Sequence, residues 1–131
     1  MKNFIKFPQM YKMLIETPHK FMIKLEKRPE KFMFGIKNYG EIPRYYNPAD
    51  KDPWDVIVSG YSEKIPTGIP FKVSKLVGIY MLPNGNHKFI VDIERNAWSK
   101  TQDIKKELEI YKRKYESYTK LRGSFIFFNK H

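Results

Sequence analysis

Apolar residues recur at every second position through most of this chain and at every third or fourth position only near its end. From Phe4 to Phe34 they alternate with lysines. The run 21–26 (Phe-Met-Ile-Lys-Leu-Glu) predicts a strand with Lys24 and Glu26 on one face. Residues 27–31, with Pro29 among charges, predict a turn into a second strand over 32–36. Gly40, Pro43 and Asn47-Pro48 mark 38–52 as a loop, and 54–59 as the short strand after it. A turn at 65–70 leads into a long strand over 71–82, kinked at Gly78. Pro83-Asn84-Gly85-Asn86 predicts a hairpin, since Asn-Gly suits the positive φ angles of a type I′ turn, and 88–93 returns antiparallel.

The period then changes. Ile104, Leu108, Tyr111, Tyr115 and Tyr118 recur at spacings of four and three, which gives one apolar helix face. Ser99 and Gln102 form a capping box before it, Gly123 ends it, and 124–128 is a last strand. Five or six strands followed by a helix, with glycine kinks, predict a mainly β, α+β fold: a small, partly open barrel with a C-terminal helix.

Composition adds boundaries. At 131 residues, the chain reads as one domain over 1–131. It has no cysteine, so disulfides and thiolate metal sites do not enter. No apolar run reaches the length of a membrane span, and the start of the chain is too short and too interrupted by lysine for a signal peptide, so we expect a cytoplasmic protein. The net charge of +11 favours anionic partners: nucleic acid, nucleotides, polyphosphate or pyrophosphate. A lysine-rich composition accounts for the same charge without any partner.

Against that background, three aspartates within six residues stand out: Asp50-Lys-Asp52-Pro-Trp-Asp55-Val56. Carboxylates this close repel one another unless cations share the site. Hard ions such as Mg²⁺ take carboxylate oxygens, keep several waters and reach substrate phosphates. An ordinary Asp-Pro turn with solvated charges is the plain alternative.

Asp50, Asp52, Pro53, Asp55 and Val56 match an Asp-x-Asp-Pro-x-Asp-Val signature. Asn38-Tyr39-Gly40 lies upstream; Gly68, Lys72 and Val77-Gly78-Ile79 lie downstream, before the hairpin and Lys88. Glu16-Thr-Pro18 and Lys24-Leu-Glu26 stand in for Glu-Ile-Pro and Lys-Tyr-Glu. In this order the chain resembles the family I, soluble, metal-dependent inorganic pyrophosphatases, from Glu16 to Ile93 and more loosely to Leu121. The resemblance implies an OB-like barrel and hydrolysis of pyrophosphate, or a related phosphoanhydride, by metal-activated water. It implies Mg²⁺, with Mn²⁺ as a second candidate, held by Glu16, Glu26, Asp50 and Asp55. Asp52 would accept the water's proton, and Lys24, Tyr39, Lys88 and Tyr115 would hold phosphate. We also expect a homo-oligomer.

The chain departs from the family in three places. The phosphate-holding arginine has no counterpart aligned by motif, though Arg28, Lys31 or Arg44 could take its place. The hairpin carries Asn84 and Asn86 instead of metal-binding aspartates, with Asp92 and Glu94 on the returning strand as possible replacements. The lysine of the family's Tyr-Lys pair is absent, since Glu116 follows Tyr115 and Thr119 follows Tyr118. The tyrosine row is most simply core. Read instead as a base-stacking surface, it gives the rival function, an inactive OB-fold that binds nucleic acid or another polyanion. His19, His87 and His131 show no paired metal spacing.

Overall fold

The computed structural model describes residues 2–61, 63–94 and 104–128. In chain order the elements are β1 (Asn3–Phe4), α1 (Phe7–Glu16), β2 (Met22–Leu25), β3 (Asn38–Tyr46), β4 (Pro53–Val58), β5 (Pro70–Met81), β6 (Lys88–Ile93), α2 (Ile104–Thr119) and β7 (Ser124–Phe127). Strand β2 pairs antiparallel with β3 and with β5. Strand β3 pairs antiparallel with β4, and β5 with β6. The parallel pairing of β4 with β6 closes the ring. The barrel is OB-like as expected but closed rather than partly open: five strands pair into a ring that leaves no unpaired edge. Strand β1 adds to β3 and β7 to β5 outside the ring.

Strand alternation divides the core in two. Trp54, Val56 and Val58 of β4 and Phe89, Val91 and Ile93 of β6 pack inward with Ile23, Leu25 and Ile42. Met10 and Leu14, one helical turn apart on α1, complete that cluster. Ile57 and Ile90 point the other way and meet Leu108, Tyr111 and Tyr115 of α2. Strand β6 is therefore buried along its whole length, with the barrel interior on one side and α2 on the other. The candidate pocket lies on this outer, helix-covered face.

Several local expectations change. The 32–36 run is not a strand. A 3-10 turn over Glu30–Phe32 leads to Phe34 and Gly35, both at positive φ, and Phe34 turns its ring onto Tyr115 at 5.4 Å. The supposed loop after it is β3. Its Pro43 and the left-handed Arg44 sit where the β3–β4 register shifts between Ile42 and Tyr46, so the missing N–H of proline breaks no ladder bond. The hairpin turn is centred on Pro83-Asn84, closed by Gly85 N donating to Leu82 O at 3.2 Å. Only Gly85 of the Asn-Gly pair has positive φ, so this is not a type I′ turn. Helix α2 stops at Thr119, where Lys120 takes the left-handed conformation assigned to Gly123. Gly123 instead leaves room for Tyr80, whose ring would lie 2.5 Å from an added Cβ. The proposed cap, Ser99 with Gln102, lies outside the described residues. Helix α1 was hidden by the apparent alternation of apolar residues and lysines.

The Asn38-Tyr39-Gly40 motif divides into three roles. Asn38 is buried; it donates to Glu63 O at 3.0 Å and accepts from Ile65 N at 2.7 Å, which ties down the segment after β4. Tyr39 faces the pocket. Gly40 lies where β2 crosses so closely that a Cβ would sit 2.2 Å from Lys24 O and 2.8 Å from Leu25 Cα. Backbone cannot yield as a flexible side chain would. Gly40→Ala should lose about 3 kcal/mol or more in denaturant unfolding, and a wild-type midpoint would show that β2 and β3 separate freely.

Candidate functional site

Register assembles the site. Glu41 pairs with Asp55 across β3 and β4, and Asp55 with Lys88 across β4 and β6. Directly opposed residues share a face, so the three side chains form a row across the outside of the barrel. Tyr39, two residues before Glu41, joins them. Lys88, only 3 % exposed, donates to Asp55 Oδ2 at 2.6 Å. The rings of Tyr39 and Tyr115 flank its ammonium at 5.9 and 5.7 Å.

Asp50 and Asp52 arrive from the loop between β3 and β4, and buried Asn47 shapes that loop. Its Oδ1 accepts from Ala49 N at 2.9 Å, and its carbonyl accepts from Lys51 N at 2.8 Å. Its Nδ2 donates to Gly85 O at 2.9 Å, which fastens the loop to the β5–β6 hairpin. Asp50 Oδ1 then accepts from Asp52 N at 3.0 Å, across the left-handed Lys51.

The resulting cavity, about 380 Å³, collects five carboxylates, from Glu26, Glu41, Asp50, Asp52 and Asp55. Two cations face them, Arg28 and Lys88, and Tyr39, Tyr111, Tyr115 and Asn86 complete the polar wall. Arg28 lies 4.3 Å from the Tyr39 ring, with its Nε 3.7 Å from Glu26. Among the described residues, no three His, Asp or Glu side chains are grouped so that they could hold a metal ion; the carboxylates are spread along an open wall.

Of the residues singled out from sequence, seven meet here: Glu26, Tyr39, Asp50, Asp52, Asp55, Lys88 and Tyr115. Two do not. Glu16 ends α1 exposed to solvent and lines no part of this cavity. Lys24 pairs in register with Glu41, but its exposed side chain lines a separate depression with Lys20 and Arg44. Motif spacing selected Lys24 and Glu26, whereas the cavity takes Glu26 and Arg28, two residues further on. Of the three basic residues left open by the motif, Arg28 lines this cavity and Lys31 and Arg44 do not. Asp92 lies four residues beyond Lys88, about 13 Å along the strand, and pairs with Lys75 at 3.6 Å. Neither Asp92 nor Glu94 lines the cavity; Asn86 does, and Asn84 does not.

Glu41 was missed because 38–52 read as a loop. Taken as a strand, the same residues put Tyr39 and Glu41 on one face. Burial, a hydrogen bond with Glu26 and the charges of Glu26, Asp55 and Asp52 push the Glu41 carboxyl up to about 7. Burial also raises Asp50, against the pull of the Asp52 N–H and with the charges of Asp55 and Asp52 adding to it. Burial and then Asp55 hold the Tyr39 hydroxyl protonated, well above its usual range. In each case burial is the main cause, and neighbouring carboxylate charge adds to it. His87 belongs to the packing: it accepts from Leu82 N at 2.9 Å and sits edge-on to Phe7 at 4.6 Å.

No protein-family model, curated protein or solved structure matches the chain.

The Glu41 shift has a signed consequence. The folded protein keeps a proton that the unfolded chain gives up near 4.5, so metal-free stability should fall as pH rises from about 4.5 to about 7. Glu41→Gln should flatten that decline in urea unfolding across the window, and a decline as steep as wild type would remove Glu41 from the account.

Proposed function

We propose that this protein hydrolyses inorganic pyrophosphate, or a related phosphoanhydride, to phosphate with water activated at this cavity. The supporting observation is the meeting of five carboxylates and two cations on one wall. A phosphate anion cannot enter such a wall against uncompensated carboxylates, so the site calls for divalent cations as well as an anion. The donor set fits Mg²⁺ or Mn²⁺: all-oxygen, without sulfur or paired imidazoles, open enough for the ion to keep waters, and destabilised by its own charge when empty of cations. Asp50, Asp55, Glu41 and Glu26 would hold the ion. When bound, it would lower the pKa of a water and neutralise phosphate oxygens.

The chain's own groups divide the remaining work. Asp52 is exposed at the mouth of the cavity and bonded through its backbone to Asp50, which leaves its carboxylate open to take the proton of the attacking water. Lys88 gives one of its three N–H groups to Asp55 and keeps two for a phosphate oxygen. Arg28, fixed against Tyr39 and Glu26, offers a fork of donors to the opposite phosphoryl group. The protonated Tyr39 hydroxyl donates to Asp55 and helps to aim that carboxylate. The resemblance of the aspartate signature to the family I pyrophosphatases supports the same reading.

The rival nucleic-acid reading rested on the tyrosine row. Tyr111 is 1 % exposed and Tyr115 is 8 %, both packed in the helix-covered core, and only Tyr118 is open to solvent. The tyrosine row therefore offers little surface for stacking bases, which favours the hydrolase reading over this one.

A phosphate-release assay with pyrophosphate and Mg²⁺, then Mn²⁺, tests the proposal. Turnover should fall about 10²- to 10⁴-fold in Asp52→Asn, which keeps shape but removes the proton acceptor. Undiminished turnover in that variant would contradict the role given to Asp52, and no release by wild type with either metal would contradict the activity.

A further inference from the structure

The carboxylate cavity does not end at Arg28. A second cavity, about 290 Å³ or the space of roughly ten waters, opens on the other side of the wall formed by Glu26, Arg28 and Tyr39, and those three residues line both spaces. The chemistry of the two sides is opposite. Beyond the wall the charged groups are Lys27, Lys37 and Lys64, with Glu26 of the shared wall as the one acid, and Thr67 adds a hydroxyl. Among the described residues, no carboxylate forms an ion pair with any of the three lysines. A third depression shares Arg28, Lys37 and Lys64 with the second and adds one acid, Glu30. Arg28 stands where all three meet, its guanidinium held over the Tyr39 ring at 4.3 Å. Pyrophosphate bound at the carboxylate wall has no use for a lysine-lined extension. A longer anion does.

Resting on the proposed phosphoanhydride hydrolysis, we infer that the preferred substrate is a chain of three or more phosphates. Its terminal phosphoryl group lies among the carboxylates, and the rest of the chain runs past Arg28 into the Lys27–Lys37–Lys64 cavity. Water adds its oxygen to the terminal phosphorus and gives a proton to Asp52. The terminal P–O–P bond breaks, and the bridging oxygen leaves with the shortened chain, so tripolyphosphate yields orthophosphate and pyrophosphate. Arg28 meets the chain at the scissile linkage, and the lysines hold the leaving portion by charge-assisted hydrogen bonds.

The test compares phosphate release from pyrophosphate, tripolyphosphate and a nucleoside 5′-triphosphate under one metal condition, in wild type and in Lys37→Ala/Lys64→Ala. In wild type, kcat/KM for tripolyphosphate should exceed that for pyrophosphate. The double variant should lower that ratio about tenfold or more, as expected for lost contacts to charged groups. Calorimetric binding of tripolyphosphate to Asp52→Asn, with and without the two lysine substitutions, should show the same loss without turnover. A nucleotide cleaved as well as tripolyphosphate assigns a cavity that accepts a nucleoside at the chain's far end; a nucleotide cleaved poorly assigns an inorganic chain. Hydrolysis of pyrophosphate with no preference for tripolyphosphate, and a ratio unmoved by the lysine substitutions, would overturn this inference alone. Failure to hydrolyse any of the three would overturn it together with the activity.

Discussion

A lysine side chain that is 3 % exposed has lost most of its hydration and needs an anion beside it, and Asp55 stands 2.6 Å from Lys88. Much of the site follows from that pair. It fixes the parallel register of β4 against β6, the pairing that closes the barrel. It brings Glu41 to the same face through the neighbouring strand, and it orders the cation beneath the Tyr39 and Tyr115 rings. Removing one member of such a pair leaves a buried charge without compensation, a cost of about 3–5 kcal/mol. The pair is also the point where surplus negative charge begins: Lys88 answers one carboxylate and Arg28 lies near a second, while three remain. Burial, and then the neighbouring carboxylates, push the Glu41 carboxyl up to about 7.

The molecule carries its charge unevenly. A chain with net charge +11 gathers five acids into one cavity and sets lysines along the adjoining one. The overall positive field favours the approach of anions, while the acidic wall admits them only alongside cations. General lysine richness explains the field but not the separation of sign between two cavities that share a wall.

The architecture was largely readable from sequence because it rests on strong periodicities. The alternation over β4, β5 and β6 and the four-three spacing of α2 each report a buried face, and together they imply a barrel with a helix against it. Reading failed where local chemistry opposed the pattern. Pro43 and Arg44 made β3 look like a loop, because a bulge that excuses proline from the ladder leaves no trace in composition. Phe-Met-Phe over 32–34 made a turn look like a strand. Both errors touched the site: the first concealed Glu41, the second the approach to Arg28. The aspartate cluster, Tyr39 and Lys88 were legible as a motif. Lys24 and Glu16 were not separable from them, since spacing along a chain does not say which neighbouring depression an exposed side chain will line.

A divalent cation that completes this wall of carboxylates would stabilise the folded protein by binding it. The most direct measurement is the thermal unfolding midpoint at pH 7 with no divalent ion, and then with Mg²⁺ or Mn²⁺ at about 100-fold its dissociation constant. Binding to the folded state alone adds about 2.7 kcal/mol at that excess, so the account predicts a rise of about 5–10 °C, much reduced in Asp50→Asn/Glu41→Gln. A midpoint indifferent to both metals up to millimolar concentrations would contradict it.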